Sequence, residues 1–386
     1  MKKLPNTLAQ KVATREQQNA LRYLPTSNDW VDFASNDYLG FSKSKTIFEA
    51  TQEYLVQHDL LQNGATGSRL LSGNHQLYPI TETFIAQFHQ SPSALLFNSG
   101  YDANVGFFSS VPQRGDCILY DELCHASIRD GIQLSNAKAY KFKHNDFEDL
   151  ERLLLRCKAE DNNRNAIQEV YIVTESVFSM DGDCPNLEEL VAVSNRFNSN
   201  LVIDEAHSLG VFGEKGEGLV QFLGLQNQFF ARIVTFGKGL GCHGAVVLGS
   251  EELSNYLVNF ARSFIYTTGL SPHSVATILM AYQLLETNNT AVLELRKKII
   301  CFNQQKSIKG LKPLFVKSKS AIQSAIIPGN VTVKQIAQQL QEKGFDVKAI
   351  LSPTVPEGQE RLRFCLHSYN TNEQISKVLE SLSAIL

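Results

Sequence analysis

The sequence predicts an α/β protein: a mostly parallel sheet, followed by a smaller unit of strands and helices. Three observations carry that expectation. From about residue 93, short β-branched apolar runs recur with helix-prone sequence between them, the pattern of strand–helix–strand units. Several of these runs end in polar residues followed by Gly, as buried parallel strands do where they reach a ligand crevice. After a helical stretch around 274–304, the composition shifts to a second, smaller alternation.

Taken in order, residues 8–24 are polar and helix-prone, with Leu8, Val12 and Leu21 as sparse apolar positions, and predict a helical arm carrying Arg15 and Arg22. Val31–Gly40 reads as a strand ending in a turn. The glycine-rich stretch from Gly64 to His75 lacks the GK[ST] ending of a P-loop, which argues against a nucleoside triphosphate there. Strands are expected at Ser93–Phe97, Cys117–Tyr120, Lys138–Phe142 and Val170–Thr174. The pair Ser99-Gly100 opens a helix whose free N–H groups and dipole suit a phosphate, although an ordinary cap reads the same way. Gly239, Gly241 and Gly244 spell GxGxxG. However, Ala245–Leu248 follows as a strand where a dinucleotide site needs a helix, so that reading is set aside. In the C-terminal part, Ala321–Ile327, Phe345–Ile350 and Arg361–Leu366 read as strands, with a helix from about 332 ending at Gly344. The last helix opens with Thr371 and Gln374 in capping-box spacing and buries Ile375, Val378, Leu379, Leu382 and Ile385. The boundaries drawn from this pattern are an N-terminal arm over 1–45, a large domain over 46–280 and a small domain over 281–386.

The stretch from Leu201 to Gly244 organises the rest. One apolar run ends in Asp204-Glu205-Ala206-His207, and a second ends in Thr235-Phe236-Gly237-Lys238-Gly239. An acid, an imidazole and a lysine at neighbouring strand ends suit pyridoxal phosphate (PLP). The lysine forms the Schiff base, and the acid keeps the pyridine nitrogen protonated so that the ring acts as an electron sink. Asp204 as a helix cap and Lys238 as a solvated loop residue are the ordinary alternatives.

Composition narrows the class. Apolar content of 43% and charged content of 19% describe an ordinary globular chain, and 386 residues favour two domains. A net charge of −3 gives no case for nucleic acid or an anionic membrane. No stretch has the length of a membrane span, and the basic N-terminus is not followed by an apolar signal region. Seven scattered cysteines without a CxxC pair fit a reduced cytoplasmic enzyme better than a disulfide scaffold, and no metal site is expected.

Together the segments Ser35–Gly40, Thr174–Asp183, Asp204–Gly210 and Thr235–Gly241 closely resemble the α-oxoamine synthase family of fold-type I PLP enzymes. These enzymes condense an amino acid with an acyl thioester and lose carbon dioxide. The resemblance runs from Ala20-Leu21-Arg22 to Thr354 and Arg363, nearly the whole chain. It implies a large domain with a mostly parallel seven-stranded sheet, a smaller C-terminal α+β domain and a homodimer with a shared active site. Position by position, it implies that Lys238 holds PLP, Asp204 bonds the pyridinium nitrogen, His207 the ring 3-oxygen, and His125 stacks on the ring. Ser99, Gly100, Tyr101 and Thr235 would approach the phosphate, Ser179 would line the cofactor, and a partner's Thr267 or Thr268 would complete the phosphate cup. Asn36 and Arg363 would hold the amino acid carboxylate, a geometry that a bidentate arginine fits. Arg22 and Thr354 match positions that contact the acyl substrate.

Ser320–Gln323 and Pro353–Pro356 favour the biotin-pathway branch, whose substrates are L-alanine and pimeloyl-CoA or a pimeloyl-acyl carrier protein. Two departures are visible. Cys242-His243 fills a variable spot after the lysine loop. Ser208 stands where close biotin-pathway relatives often have Gly, a difference shared with sphingolipid-type relatives. Sister synthases using glycine with acetyl-CoA, or serine with a long acyl chain, therefore stay open. So do an aminotransferase of the same fold and a non-catalytic interaction protein.

Overall fold

The computed structural model describes residues 3–24, 29–161 and 169–386. Its strands, in chain order, are β1 (Val31–Asp32), β2 (Ser93–Phe97), β3 (Cys117–Asp121), β4 (Lys138–Phe142), β5 (Val170–Glu175) and β6 (Asn200–Asp204). They continue with β7 (Ala231–Thr235), β8 (Ala245–Gly249), β9 (Ile322–Ile326), β10 (Phe345–Asp346), β11 (Lys348–Ile350) and β12 (Arg361–Cys365). Contacts group the described residues into two compact units. The larger holds 36–179 and 183–295; the smaller holds 1–35, 180–182 and 296–386.

The larger unit is built on a seven-stranded sheet in the order β2-β8-β7-β6-β5-β3-β4. All neighbours are parallel except β8, which runs antiparallel to both β2 and β7. The seven-stranded, mostly parallel sheet expected from the resemblance is present. Strand alternation divides its side chains between two cores. Ile118, Val173, Val202, Ala231 and Ile233 pack on one face with Phe107, Phe108 and Ile128. Leu119, Ile172, Leu201 and Ile203 pack on the other with Phe142, Leu150 and Leu154. Residues two apart share a face of a strand, so this parity continues to the strand ends. It sends Glu175, Asp204 and Thr235 to the face of the helix Gly100–Ser110, and Glu205 and Arg232 to the opposite face. The chain leaves β3 for β4 on one side and returns to β5 on the other. The gap between the carboxyl ends of β3 and β5 is therefore a topological switch point, where open α/β sheets hold their ligands.

In the smaller unit, β11, β12 and β9 form an antiparallel sheet in that order, and β1 pairs in parallel with β10. The turn Met180–Gly182 belongs to this unit. Ser318 and Ser320 donate to the Gly182 carbonyl at 2.7 and 2.9 Å, and Arg361 pairs with Asp181. The last helix, Asn372–Ile385, shows the anticipated capping box between Thr371 and Gln374, with Ile375, Val378, Leu379 and Leu382 buried and Ile385 half-buried.

Several expected elements are shortened for local reasons. The arm helix spans Asn6–Gln17 and buries none of its residues, because Asn19 turns into the left-handed region at φ 51° and ends it. The strand read over Val31–Gly40 is only β1. The Asp32 carboxylate accepts the N–H groups of Ala34 and Ser35 at 2.8 and 2.9 Å and bends the chain into a turn. Burial works against that carboxylate's charge, but His367 and the two N–H groups outweigh it and hold its pKa at about 2. The strand read over Phe345–Ile350 splits between two sheets at the fully buried Val347, whose N–H turns back to the Phe345 carbonyl. The helical stretch around 274–304 is two helices, Pro272–Thr287 and Thr290–Ile308.

Three strand ends are tied by one imidazole. His144, just past β4, places Nδ1 3.0 Å from Asp121 and Nε2 2.8 Å from Asp183, with its ring edge-on to Phe178. Burial pulls the His144 pKa down, but hydrogen bonds and charge from the two carboxylates outweigh it and raise the value to about 10. A raised folded-state pKa gives stabilisation that is complete below about pH 6.5 and is lost as pH rises through 10. His144→Gln should therefore lower stability near pH 6 by about 2 kcal/mol. It should also flatten the decline in denaturation midpoint between pH 7 and 10, which a urea-unfolding series across that range measures.

Candidate active site

Three groups of side chains converge at the carboxyl ends of β3, β5, β6 and β7. The first surrounds Lys238. Gly239 presses on the turn after β6 so closely that a Cβ there would lie 2.2 Å from the Leu209 carbonyl, and this packing holds the lysine loop against His207. Lys238 Nζ sits 2.7 Å from His207 Nε2. On its other side, His207 Nδ1 lies 2.6 Å from the hydroxyl of the fully buried Tyr38. Tyr38 is also within 3.3 Å of the Asn36 side-chain oxygen, the acceptor for its hydroxyl. Lysine, imidazole and phenol thus form one chain of hydrogen bonds.

The second group is acidic. Asp204 is buried, and both of its oxygens are engaged: Oδ2 accepts from Asn104 Nδ2 at 2.8 Å and Oδ1 from the Ala206 N–H at 2.8 Å. Asn104 also donates to Ser127 Oγ at 3.0 Å, and that oxygen lies 2.8 Å from His125 Nδ1. Glu175 pairs in register with Asp204 across β5 and β6, and its Oε1 accepts the His125 backbone N–H at 2.6 Å. Burial first, and then the charge of Asp204, raise the Glu175 pKa to about 8, with Lys238 and the His125 N–H opposing. Glu175 is therefore the carboxyl that keeps its proton at neutral pH. The surrounding protein lowers the His125 pKa, a shift that the Asp204 charge opposes and Lys238 reinforces. His125 itself stays open to solvent, so its ring face is available to a ligand.

The third group forms a cradle. Ser99 caps the helix Gly100–Ser110: its hydroxyl accepts the Asp102 N–H at 3.0 Å and donates to the Asp102 carboxylate at 2.8 Å. Thr235, at the end of β7, lies against Gly100, where a Cβ would be 2.2 Å from its hydroxyl oxygen. Only glycine leaves room there. The helix terminus then presents its first N–H groups, which have no intrahelical acceptor, beside the Thr235 hydroxyl. Asn98 donates to Thr267 Oγ1 at 3.1 Å and to the Thr268 carbonyl at 2.6 Å, which brings both threonines of the same chain to the cradle's edge. Tyr101 turns outward, and its hydroxyl donates to Asp130 at 2.8 Å.

Each of the other residues singled out in the sequence sits within its own unit. Ser179 is half-buried in the turn after β5. In the smaller unit, Arg363 stands on β12 between Ser324 and Lys348, and Arg22 donates to Thr354 Oγ1 at 3.3 Å. Ser208 is fully buried, and its hydroxyl donates to Glu205 Oε1 at 2.9 Å. Glu205 in turn accepts from the buried Arg232 at 2.9 Å, so the Ser208 hydroxyl is committed to a buried ion pair. Sequence reasoning assigned no role to Tyr38, Asn104, Ser127 or Glu175. Glu175 alone carried a signal, a carboxylate at the end of an apolar run; the others depend on contacts across 23 to 169 residues. Among the described residues, no cluster of His, Cys, Asp and Glu could hold a metal ion, and no helix is long and apolar enough to cross a membrane.

Such a lysine–imidazole–carboxylate crevice on a seven-stranded sheet defines a class of enzyme, and comparison with known proteins agrees. The chain belongs to the aminotransferase class I and II family, whose model matches residues 28–382, and within it to the α-oxoamine synthases of fold type I. It is 42% identical over 402 residues to the 8-amino-7-oxononanoate synthase of Emericella nidulans, covering 99% of this chain and 96% of that one. The structure of 8-amino-7-oxononanoate synthase from Francisella tularensis matches with a TM-score of 0.76 at 30% identity, over 93% of this chain and 98% of that one. A serine palmitoyltransferase from S. paucimobilis with a bound PLP–myriocin aldimine matches with a TM-score of 0.87 at 26% identity, over 98% and 96% of the two chains. The chain is an enzyme of the acyltransferase type.

Tyr38→Phe removes the hydroxyl that holds His207 Nδ1. Loss of one such bond, about 1.4 kcal/mol, should lower kcat roughly tenfold while the melting temperature stays nearly constant. Steady-state kinetics beside a thermal melt check this, and an unchanged kcat would show that the phenol does not orient the imidazole.

Proposed function

We propose that this enzyme uses PLP to condense L-alanine with a pimeloyl thioester, giving 8-amino-7-oxononanoate, carbon dioxide and the free thiol. The observation that carries the reading is the lysine of β7's loop held at 2.7 Å by His207, beside the buried, doubly bonded Asp204. Similarity to 8-amino-7-oxononanoate synthases over nearly the full chain supports the substrates.

The residues present fit PLP. Lys238 supplies the amine, Asp204 a carboxylate for the pyridine nitrogen, His207 a donor for the ring oxygen, and His125 an open ring face. By the resemblance, Ser99, Gly100, Tyr101 and Thr235 are assigned to the phosphate, Ser179 to the cofactor's side, and a partner's Thr267 or Thr268 to completing the phosphate cup, with Gly100 and Thr235 already packed together at the helix start. When bound, PLP supplies the electron sink that stabilises a carbanion at the amino acid Cα. Lys238 is the base that takes the Cα proton. His207 orients its nitrogen and shares the proton, and Tyr38 fixes the imidazole from behind. Glu175 keeps its proton at neutral pH and adds no charge of its own beside Asp204. The resemblance, rather than any placement, assigns Asn36 and Arg363 to the amino acid carboxylate and Arg22 and Thr354 to the acyl donor, whose carrier is CoA or an acyl carrier protein. A cytoplasmic homodimer belongs to the same reading, and the exposed Tyr266, next to Thr267 at the cradle's edge, is a side chain that a second copy would cover.

An absorbance titration tests this reading. PLP-loaded protein should respond saturably to L-alanine in preference to glycine or L-serine, and should release CoA when pimeloyl-CoA is added. Lys238→Ala should abolish both turnover and the long-wavelength band. Preference for glycine or serine without a response to pimeloyl-CoA would move the enzyme to a sister activity, and full activity in Lys238→Ala would refute the assignment.

A further inference from the structure

Seven cysteines are scattered through the chain without a CxxC pair, yet the fold brings two of them together. Cys117 opens β3, and Cys157 lies forty residues later on the helix Phe147–Asp161. Strand parity puts Cys117 on the same face as Leu119, directly under that helix, and the two sulfur atoms are 2.7 Å apart. That separation is inside van der Waals contact and less than an ångström beyond the roughly 2.05 Å of a disulfide bond. The surroundings are apolar: Leu119, Phe142, Leu150, Leu154 and Ile172. An apolar core asks nothing of a thiol that a methyl group would not supply, and a thiol–thiol hydrogen bond is weak. Both cysteines are buried, Cys117 at 0% and Cys157 at 2% exposure. Leu155, Arg156 and Lys158 of the same helical turn are exposed, so opening of that turn brings solvent to the pair.

We infer that Cys117 and Cys157 form an oxidative modification site, a disulfide that staples the helix Phe147–Asp161 to β3. The reaction balances with a small disulfide as oxidant. The Cys157 thiol, carried on the helix, loses its proton on opening of its helical turn. The thiolate attacks one sulfur of oxidised glutathione and expels one glutathione thiolate. Cys117, deprotonated in turn, attacks the Cys157 sulfur of the mixed disulfide and expels the second. Two protein thiols are oxidised, one glutathione disulfide is reduced to two thiols, and two protons are accounted for. Because the pair lies on the sheet face opposite Asp204 and Glu175, the bond changes stability and leaves the crevice chemistry unaltered.

The test uses the full chain in two arms: native protein incubated with oxidised glutathione, and denatured protein refolded in the same buffer. Each is then alkylated, digested without reductant and mapped by mass spectrometry. A Cys117–Cys157 peptide lighter by two hydrogens is expected, absent from Cys117→Ala and Cys157→Ala. Oxidised wild type should melt roughly 5 °C above its reduced form, a gap that both variants lose. Recovery of Cys117 and Cys157 as alkylated thiols in both arms would overturn the proposal, as would a dominant cross-link to any other cysteine.

Discussion

Glu175 and Asp204 stand side by side across two buried strands, and the crevice is arranged around the charge that this pair is able to carry. Two carboxylates in register within a desolvated site cannot both ionise at neutral pH without a large cost. The structure resolves this by giving them different partners. Asp204 receives hydrogen bonds from a side-chain amide and a backbone N–H. Glu175 receives a single N–H, and burial, with the Asp204 charge, raises its pKa to about 8. Glu175 therefore keeps its proton, on the face where the helix Gly100–Ser110 begins.

On the opposite face of the same strands, the neighbouring residues solve a separate problem. Glu205 follows Asp204, but alternation turns it away to Arg232, and the pair is completed by Ser208 and the His89 carbonyl. This buried ion pair, hydrogen-bonded further to Ser208 and to the His89 carbonyl, ties the strand ends together. This accounts for Ser208 as a structural hydroxyl and removes it from arguments about acyl-chain length. The two adjacent acids thus differ in role because one backbone step reverses the direction of a strand side chain.

Lys238 is positioned by backbone packing as well as by its contact with His207. The close approach of Gly239 to the Leu209 carbonyl brings the lysine loop onto the turn bearing His207, and Tyr38 closes the line from a segment far away in sequence. Rigid strands carry the reactive groups on short loops, which is how a site keeps its geometry without extensive side-chain support.

The sheet strands are legible in the sequence because buried parallel strands are continuous apolar runs, and the polar ends of those runs mark Asp204, His207 and Lys238. The family and the roles of His125, Asn36 and Arg363 rest on the resemblance carried by the motif set. Elements half-buried or bent by a side chain escape the periodicity: Asp32 cuts a strand short, Asn19 ends the arm helix, and Val347 divides another strand. What the sequence by itself determined was the alternation of strands and helices and the chemistry at each strand end, since both are local properties of residue type and spacing. Only the tertiary structure decided which ends meet. The strand order, the pairing of Glu175 with Asp204, the Lys238–His207–Tyr38 line and the meeting of Cys117 with Cys157 all depend on contacts between residues far apart in the chain, which no local periodicity encodes.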